Sequence, residues 1–178
     1  MAADETRYTR HIRHNALSMQ ENCPPFLFRP GPGEAMERAL KQARLAAAAA
    51  EVPVGAVVIS PEGYLLAQAH NLTETNHDAS AHAEMLAMRE AAKQLGSTRL
   101  IGCDLYVTLE PCPMCAQAAS HFRIRRIIFG AYDPKGGGIE HGARVLNASS
   151  CHHQPEIIGG VRETEAVALL RSFFQARR

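Results

Sequence analysis

His82-Ala83-Glu84 and, further along, Pro111-Cys112-Pro113-Met114-Cys115 put three zinc-type ligands and one spare carboxylate in one chain. Structural zinc is usually closed by four Cys or His ligands, whereas catalytic zinc keeps three protein ligands and an open place for a water whose pKa falls toward neutrality. His82, Cys112 and Cys115 form such a three-ligand set. Glu84 stands near enough in sequence to take the proton of that water and return it, as a shuttle and not a ligand. The chemistry implied is hydrolysis with one Zn2+ per subunit.

A lone Cys-x-x-Cys also serves as a redox pair or as half of a structural zinc site. The chain has no second Cys-x-x-Cys and does carry the upstream His-x-Glu, which favours the catalytic set. Cys151-His152-His153 adds further donors, but three adjacent residues do not converge easily on one ion and are read as structural.

The spacings make demands on the elements that carry them. Cys112 and Cys115, three apart, face the same way on a helix. His82 and Glu84, two apart, point to nearly opposite sides of a helix body, so they share a site only where a helix begins and is aimed end-on. Two helix N-termini must therefore converge on the metal. Their partial positive charge favours thiolates and other anionic groups.

Residues 34–50, rich in Ala, Leu, Glu, Lys and Arg with Met36, Leu40 and Ala43 on one face, predict a helix. Apolar, partly β-branched runs at 54–60 and 64–70, joined across Pro61-Glu62-Gly63, predict a hairpin. A polar loop at 71–81 leads into a helix at 83–95, with Met85, Leu86, Met88 and Ala92 as its buried face. A strand at 104–108, a helix at 113–122, a strand at 126–130, a flexible loop from Gly136 and a closing helix at 163–176 complete the series. Alternation of strand and helix implies a partly parallel sheet with helices on its faces.

A length of 178 residues with 46 % hydrophobic content suits one domain with its own core. Residues 34–178 are read as that domain, and 1–33 as a poorly ordered N-terminal extension closed by Pro30-Gly31-Pro32-Gly33. Phe26-Leu27-Phe28 would let part of the extension pack on the domain, while Asp4, Glu5 and Glu21 argue against a transit peptide. The longest small apolar run, 45–50, is far too short to cross a bilayer. An odd count of five cysteines does not make a secreted disulfide framework, so a cytoplasmic protein without membrane attachment is expected. The net charge of +1 gives no global basic field, so contact with nucleic acid requires a local patch, for which Arg123, Arg125, Arg126, Arg171, Arg177 and Arg178 are candidates.

Glu51-Val52-Pro53-Val54-Gly55-Ala56-Val57, His77-Asp78, the His-Ala-Glu motif and Leu105-Tyr106-Val107-Thr108-Leu109-Glu110-Pro111-Cys112 resemble, in order, the zinc-dependent nucleotide and nucleic-acid deaminases. With Gly130-Ala131-Tyr132-Asp133-Pro134-Lys135-Gly136-Gly137 and Phe173-Phe174 followed by arginines, the chain resembles more closely the bacterial tRNA-specific adenosine deaminases, over roughly 34–178. The resemblance implies an α/β protein, a three-layer α/β/α cytidine-deaminase-like fold with a central mixed sheet of about five strands. It implies that zinc-activated water attacks C6 of the wobble adenosine in a tRNA, usually an arginine tRNA, turned out of the anticodon loop, with Glu84 passing the proton and ammonia leaving as inosine forms. Asn71 then matches the asparagine that hydrogen-bonds the base, Pro53 and Val54 match the pocket wall, and the Ala83 backbone N–H matches a base contact. Asp133 and Lys135 match a loop beside the RNA, where a carboxylate accepts from a ribose hydroxyl and a lysine meets phosphate. The implied partners are the anticodon stem-loop and a second copy of the chain in a homodimer, for which 114–119 offers an apolar contact surface; DNA is not expected as natural substrate.

Two departures qualify the match. Ala79-Ser80 stands where the family commonly has Pro-Thr, and Pro113 where many members have Val or Thr. Pro-Cys-Pro-Met-Cys also resembles guanine deaminases, which act on a free base and form the runner-up reading. A non-catalytic, zinc-stabilised RNA-binding protein is the alternative of a different class, against which Glu84 speaks, since a scaffold needs no carboxylate over an open metal position.

Overall fold

The computed structural model describes residues 29–31 and 33–177, so nearly all of the expected N-terminal extension, and Arg178, lie outside the described residues. In chain order the elements are α1 (Glu34–Ala48), β1 (Gly55–Ile59), β2 (Leu65–His70), α2 (Thr73–Asn76), α3 (Ala83–Leu95), β3 (Asp104–Leu109), α4 (Pro113–His121), β4 (Arg126–Ala131), β5 (Glu156–Ile158) and α5 (Glu163–Gln175), with a short 3-10 turn at Val145–Asn147.

The sheet is mixed, in the order β2-β1-β3-β4-β5. β1 runs antiparallel to both β2 and β3, with Gly55 opposite His70 and Ala56 opposite Val107. β3 and β4 are parallel, and so are β4 and β5. Parallel pairing needs a crossover, and α4 supplies it between β3 and β4.

All five residues of β1 are buried, because helices cover both faces of the sheet. Val57, Ile59 and Ile128 pack with Met36, Ala39 and Leu40 of α1 and Ala166 of α5. Ala56, Val58, Leu105, Val107, Ile127 and Phe129 pack with Ala83, Ala87, Met88 and Ala91 of α3 and Ala116 and Ala119 of α4. The alternating side chains of the central strands thus feed two cores, which gives the three-layer α/β/α arrangement. No helix among the described residues is long and apolar enough to cross a membrane.

Several local expectations are corrected. β5 escapes a reading by periodicity because it is three residues long, follows Pro155 and leaves Glu156 exposed. The 71–81 loop contains the single turn α2. On α3 the fully buried face is Ala83, Glu84, Ala87, Met88 and Ala91, whereas Met85 and Ala92 are only partly covered. Small alanines allow the helix axis to come close to the sheet, Met88 is buried with them as expected, and Met85 and Leu86 lie at the flanks.

At the starting end of β3 and β4, Asp104 is 3 % exposed and takes hydrogen bonds from Arg125 Nε (2.9 Å) and Nη2 (2.8 Å) and from Arg126 Nε (3.1 Å). Burial alone would raise its carboxyl, but the Arg125 and Arg126 hydrogen bonds outweigh burial and hold it below its ordinary 3.8. Because the folded value lies below the unfolded one, this stabilisation is present above the unfolded pKa and is lost as pH falls through the folded value. Asp104→Asn is expected to cost about 1–3 kcal/mol at neutral pH, toward the lower end because both arginines remain partly solvated. In urea titrations the gap from wild type should close below about pH 4; a gap independent of pH would contradict the ion-pair account.

Candidate metal centre and active site

Because β3 and β4 are parallel and β1 runs against β3, the end of β3, the end of β4, the start of β1 and the end of β2 share one edge of the sheet. Backbone bonds tie the segments that follow: Asn71 N–H donates to Val54 O (3.1 Å), Leu72 N–H to Ala81 O (3.0 Å) and Glu110 N–H to Ala131 O (2.8 Å). Gly55 N–H donates to the Thr108 hydroxyl at 3.1 Å, linking β1 to β3 at the same edge. In open α/β sheets the crevice beyond the carboxyl ends of parallel strands is the usual place for a ligand.

Two helices start there. His82 is the N-cap of α3 and Cys112 the N-cap of α4, both in extended backbone conformation, and Glu84 and Cys115 fall in the respective first turns. Pro113 occupies the start of α4, where its fixed φ is already helical and its missing N–H costs nothing, so this departure from the commoner family residues has a local structural role. The end-on convergence required by the His-x-Glu spacing is realised.

The ligand atoms of His82, Cys112 and Cys115 lie within 4.8 Å of one another, the one such group of three among the described residues. His82 Nδ1 is 3.6 Å from Cys112 Sγ and 3.5 Å from Cys115 Sγ. A tetrahedral zinc, with bonds of roughly 2.0–2.1 Å to nitrogen and 2.3 Å to sulfur, sets N and S ligands about 3.6 Å apart. The donor set and its spacing therefore fit zinc.

The metal-free electrostatics agree. A hydrogen bond from the Cys115 thiol, opposed by burial and helped by His82, holds Cys112 at about 4, as a thiolate. Its proton-donating partner Cys115 is pushed up, by that same bond and by burial. The cysteine pair thus shares a proton that a metal must displace. His82 is raised chiefly by its hydrogen bond to Cys112, against burial. Glu84 is 4 % exposed, and burial, its largest influence, raises its carboxyl.

The other expected site residues distribute along the same edge. Pro53, Val54 and Ala83 are buried, and Ala83 lies in the first turn of α3, whose N–H groups a helix leaves without internal partners. Asn71 is 6 % exposed, and its Nδ2 lies 3.5 Å from Thr73 Oγ1, a long contact. Asp133 and Lys135 follow β4 and are joined to each other: Asp133 Oδ1 accepts from Lys135 N–H (3.1 Å) and Gly136 N–H (2.9 Å). One Asp133 oxygen is thereby committed to shaping its own turn.

The candidate basic patch divides. Arg125 and Arg126 sit at the start of β4, with their charge taken by Asp104, and the site lies past the other end of that strand, about 17 Å away at a rise of 3.3 Å per residue. They do not belong to a site-facing patch. Arg123 donates to His152 O at 3.1 Å, from the turn before the same strand start. Arg177, in contrast, stacks 3.5 Å over the Phe173 ring and donates to Ala50 O at 3.2 Å, beside the segment that leads to Pro53.

Two buried carboxylates were not singled out by residue type. Glu51 is fully buried and accepts from Thr75 N–H (2.7 Å) and the Thr73 hydroxyl (3.1 Å), holding α2 next to Asn71. Glu110 is 2 % exposed and accepts from the backbone that follows β4. The available signal was a Glu set inside an otherwise apolar run, a position at which burial demands partners.

Comparison with known proteins agrees with this geometry. Residues 32–131 match the family described as the cytidine and deoxycytidylate deaminase zinc-binding region. A tRNA-specific adenosine deaminase of Agrobacterium fabrum is 48 % identical over 143 residues, covering 80 % of this chain and 93 % of the relative. A solved structure from a study of A-to-I editing by tRNA:A34 deaminases at the wobble position is 47 % identical with a TM-score of 0.76, covering 78 % of this chain and 100 % of the other. Guanine deaminase from Nitrosomonas europaea, 24 % identical with a TM-score of 0.70 and covering 84 % and 92 %, shares the fold.

Proposed function

As the chain belongs to the cytidine and deoxycytidylate deaminase family, we propose that it deaminates the wobble adenosine of tRNA to inosine, an arginine tRNA being the preferred substrate. The observation that carries the reaction type is the zinc-sized triangle of His82, Cys112 and Cys115 at two helix N-termini, with buried Glu84 in the first turn beside it. The near-full-length similarity to tRNA-specific adenosine deaminases, at 48 % identity, supports the substrate.

Zinc, when bound, supplies Lewis acidity that brings a water's pKa near 7. His82, Cys112 and Cys115 hold it, and the helix starts complement the anionic ligands. Glu84 takes one proton from the water that adds to C6 and delivers it to the purine ring, then takes the second proton from the oxygen now on C6 and passes it to the departing amine, so that water and adenosine become inosine and ammonia. The carboxyl's burial excludes bulk water from competing for that proton. Asn71 provides both a donor and an acceptor to the base, Pro53 and Val54 wall the pocket, and the Ala83 N–H meets the base at the helix start. Asp133 and Lys135 contact ribose and phosphate of the flanking RNA.

The active form is a homodimer in the cytoplasm, with residues 34–178 as its catalytic domain. The contact surface expected at 114–119 is narrower than its apolar run indicated, since Cys115, Ala116 and Ala119 are buried within the subunit and only Met114, 39 % exposed, with the half-buried Gln117 and Ala118, faces outward.

Incubating the purified zinc protein with an anticodon stem-loop bearing wobble adenosine, and separately with guanine, is expected to yield inosine in the RNA and no xanthine. Xanthine without inosine would transfer the assignment to guanine deamination, and neither product would favour a binding protein. Light scattering of the same preparation at micromolar concentration should give the mass of two chains; a monomer would remove the dimer from the proposal.

A further inference from the structure

We propose that Glu110 is a positioning residue that assembles the 133–141 loop onto the segment carrying Cys112, presetting the rim that receives RNA; this rests on the reading above that the substrate is a tRNA. The Glu110 side chain is fully buried between the end of β3 and the metal-ligating segment, so it does not itself reach the substrate. Its Oε1 accepts from Glu140 N–H (2.9 Å), His141 N–H (2.9 Å) and, more weakly, Ile139 N–H (3.3 Å). Its Oε2 accepts from Asp133 N–H (3.1 Å) and faces His141 Nδ1 at 2.8 Å.

A carboxylate offers about four lone-pair sites, and here five donors from one loop use them. Because the donors come from both Asp133 and 139–141, the carboxylate closes the intervening stretch into a defined excursion. That stretch contains Gly136-Gly137-Gly138 and has little side-chain mass with which to order itself.

The excursion lies directly on the metal-ligating segment. Gly138 N–H donates to Pro111 O at 2.8 Å. A Cβ on Gly138 would be 2.5 Å from Pro113 N, and one on Gly137 2.6 Å from the Glu110 carboxyl carbon, so the backbone contact has no room for a methyl group. Asp133 is both a Glu110 partner and the residue whose Oδ1 shapes the turn bearing Lys135. A single buried carboxylate therefore couples the proposed RNA contacts to the place where Cys112 is held.

A residue acting through such a rim alters substrate affinity more than the chemical step. Glu110→Gln turns one acceptor into an NH2 donor that opposes donors. The expected result is wild-type zinc content, amide exchange at 133 and 139–141 faster by roughly tenfold or more, and a KM for the stem-loop raised by roughly tenfold or more with kcat within about threefold. His141→Ala, which leaves the backbone donors in place, is expected to move exchange and KM the same way by about threefold and tests the proposal even if the Gln variant does not fold. Unchanged exchange or unchanged KM in the folded variant overturns the proposal, as does loss of zinc or a fall confined to kcat. Absence of inosine from the wild-type protein would instead remove the tRNA reading, with the exchange measurement still deciding whether Glu110 orders the loop.

Discussion

Glu84→Ala is expected to bind zinc at the wild-type stoichiometry while lowering inosine formation by about a thousandfold or more, within the range spanned by general acid–base groups. Zinc retention follows from geometry, since the zinc-sized triangle is complete with His82, Cys112 and Cys115. The loss of turnover follows from burial. Glu84 is 4 % exposed in the first turn of α3, and burial pushes its carboxyl toward the protonated form, as suits a group that must both hold and release a proton. Removing a buried ionisable group also relieves a desolvation cost, so the variant should be no less stable to urea than wild type. Metal analysis, single-turnover kinetics and a urea titration on one preparation test all three parts. Turnover within tenfold of wild type would remove the proton-shuttle role, and loss of zinc would make Glu84 a ligand.

Cys112→Ser and Cys115→Ser are each expected to purify with little zinc and no activity, and to lose the stabilisation that metal confers on wild type. A serine hydroxyl is a far poorer zinc ligand than a thiolate, and a two-ligand remnant no longer closes the zinc-sized triangle. Metal bound only by the folded state stabilises it by mass action, by about 4 kcal/mol when free zinc is a thousand times the dissociation constant. A chelator should therefore lower the melting temperature of wild type toward that of the serine variants and leave the variants unmoved. The two differ in one respect: Cys115 is fully buried and Cys112 partly exposed, so Cys115→Ser also places a hydroxyl in the core and should be the less stable of the pair when both are metal-free. Full zinc occupancy in either variant would contradict the ligand set.

Much of the local structure was legible because its signals are local. The 83–95 helix emerges with the bounds its periodicity indicated, and the predicted 34–50 and 163–176 helices end only one or two residues early. The 3.6-residue pattern did not say which face of α3 would be innermost: Ala87 and Ala91 won over Met85 and Leu86 because the separation between helix and sheet, set by the whole sandwich, favours small residues at closest approach. Edge strand β5 was invisible because three residues carry no period, and its identity comes from pairing with β4.

The sequence by itself pointed to the reaction type, because ligand chemistry belongs to residue identity: one His, two Cys and a nearby Glu are the residue types from which a three-ligand zinc site and a proton-transferring carboxylate are expected. With 83–95 read as a helix, it also required that they meet at helix starts, since His82 and Glu84, two apart, point to nearly opposite sides of a helix body. Only the tertiary structure decided how the two starts are brought together, through the crossover that makes β3 and β4 parallel and sets α4 beside α3 over one face. It alone sent Arg125 and Arg126 to the far end of the sheet, where Asp104 takes their charge, and made Glu51 and Glu110 the buried anchors of loops at the site edge. The reason is that a charge or a carboxylate has no function until its neighbours are known, and those neighbours lie tens of residues away, chosen by strand order and direction.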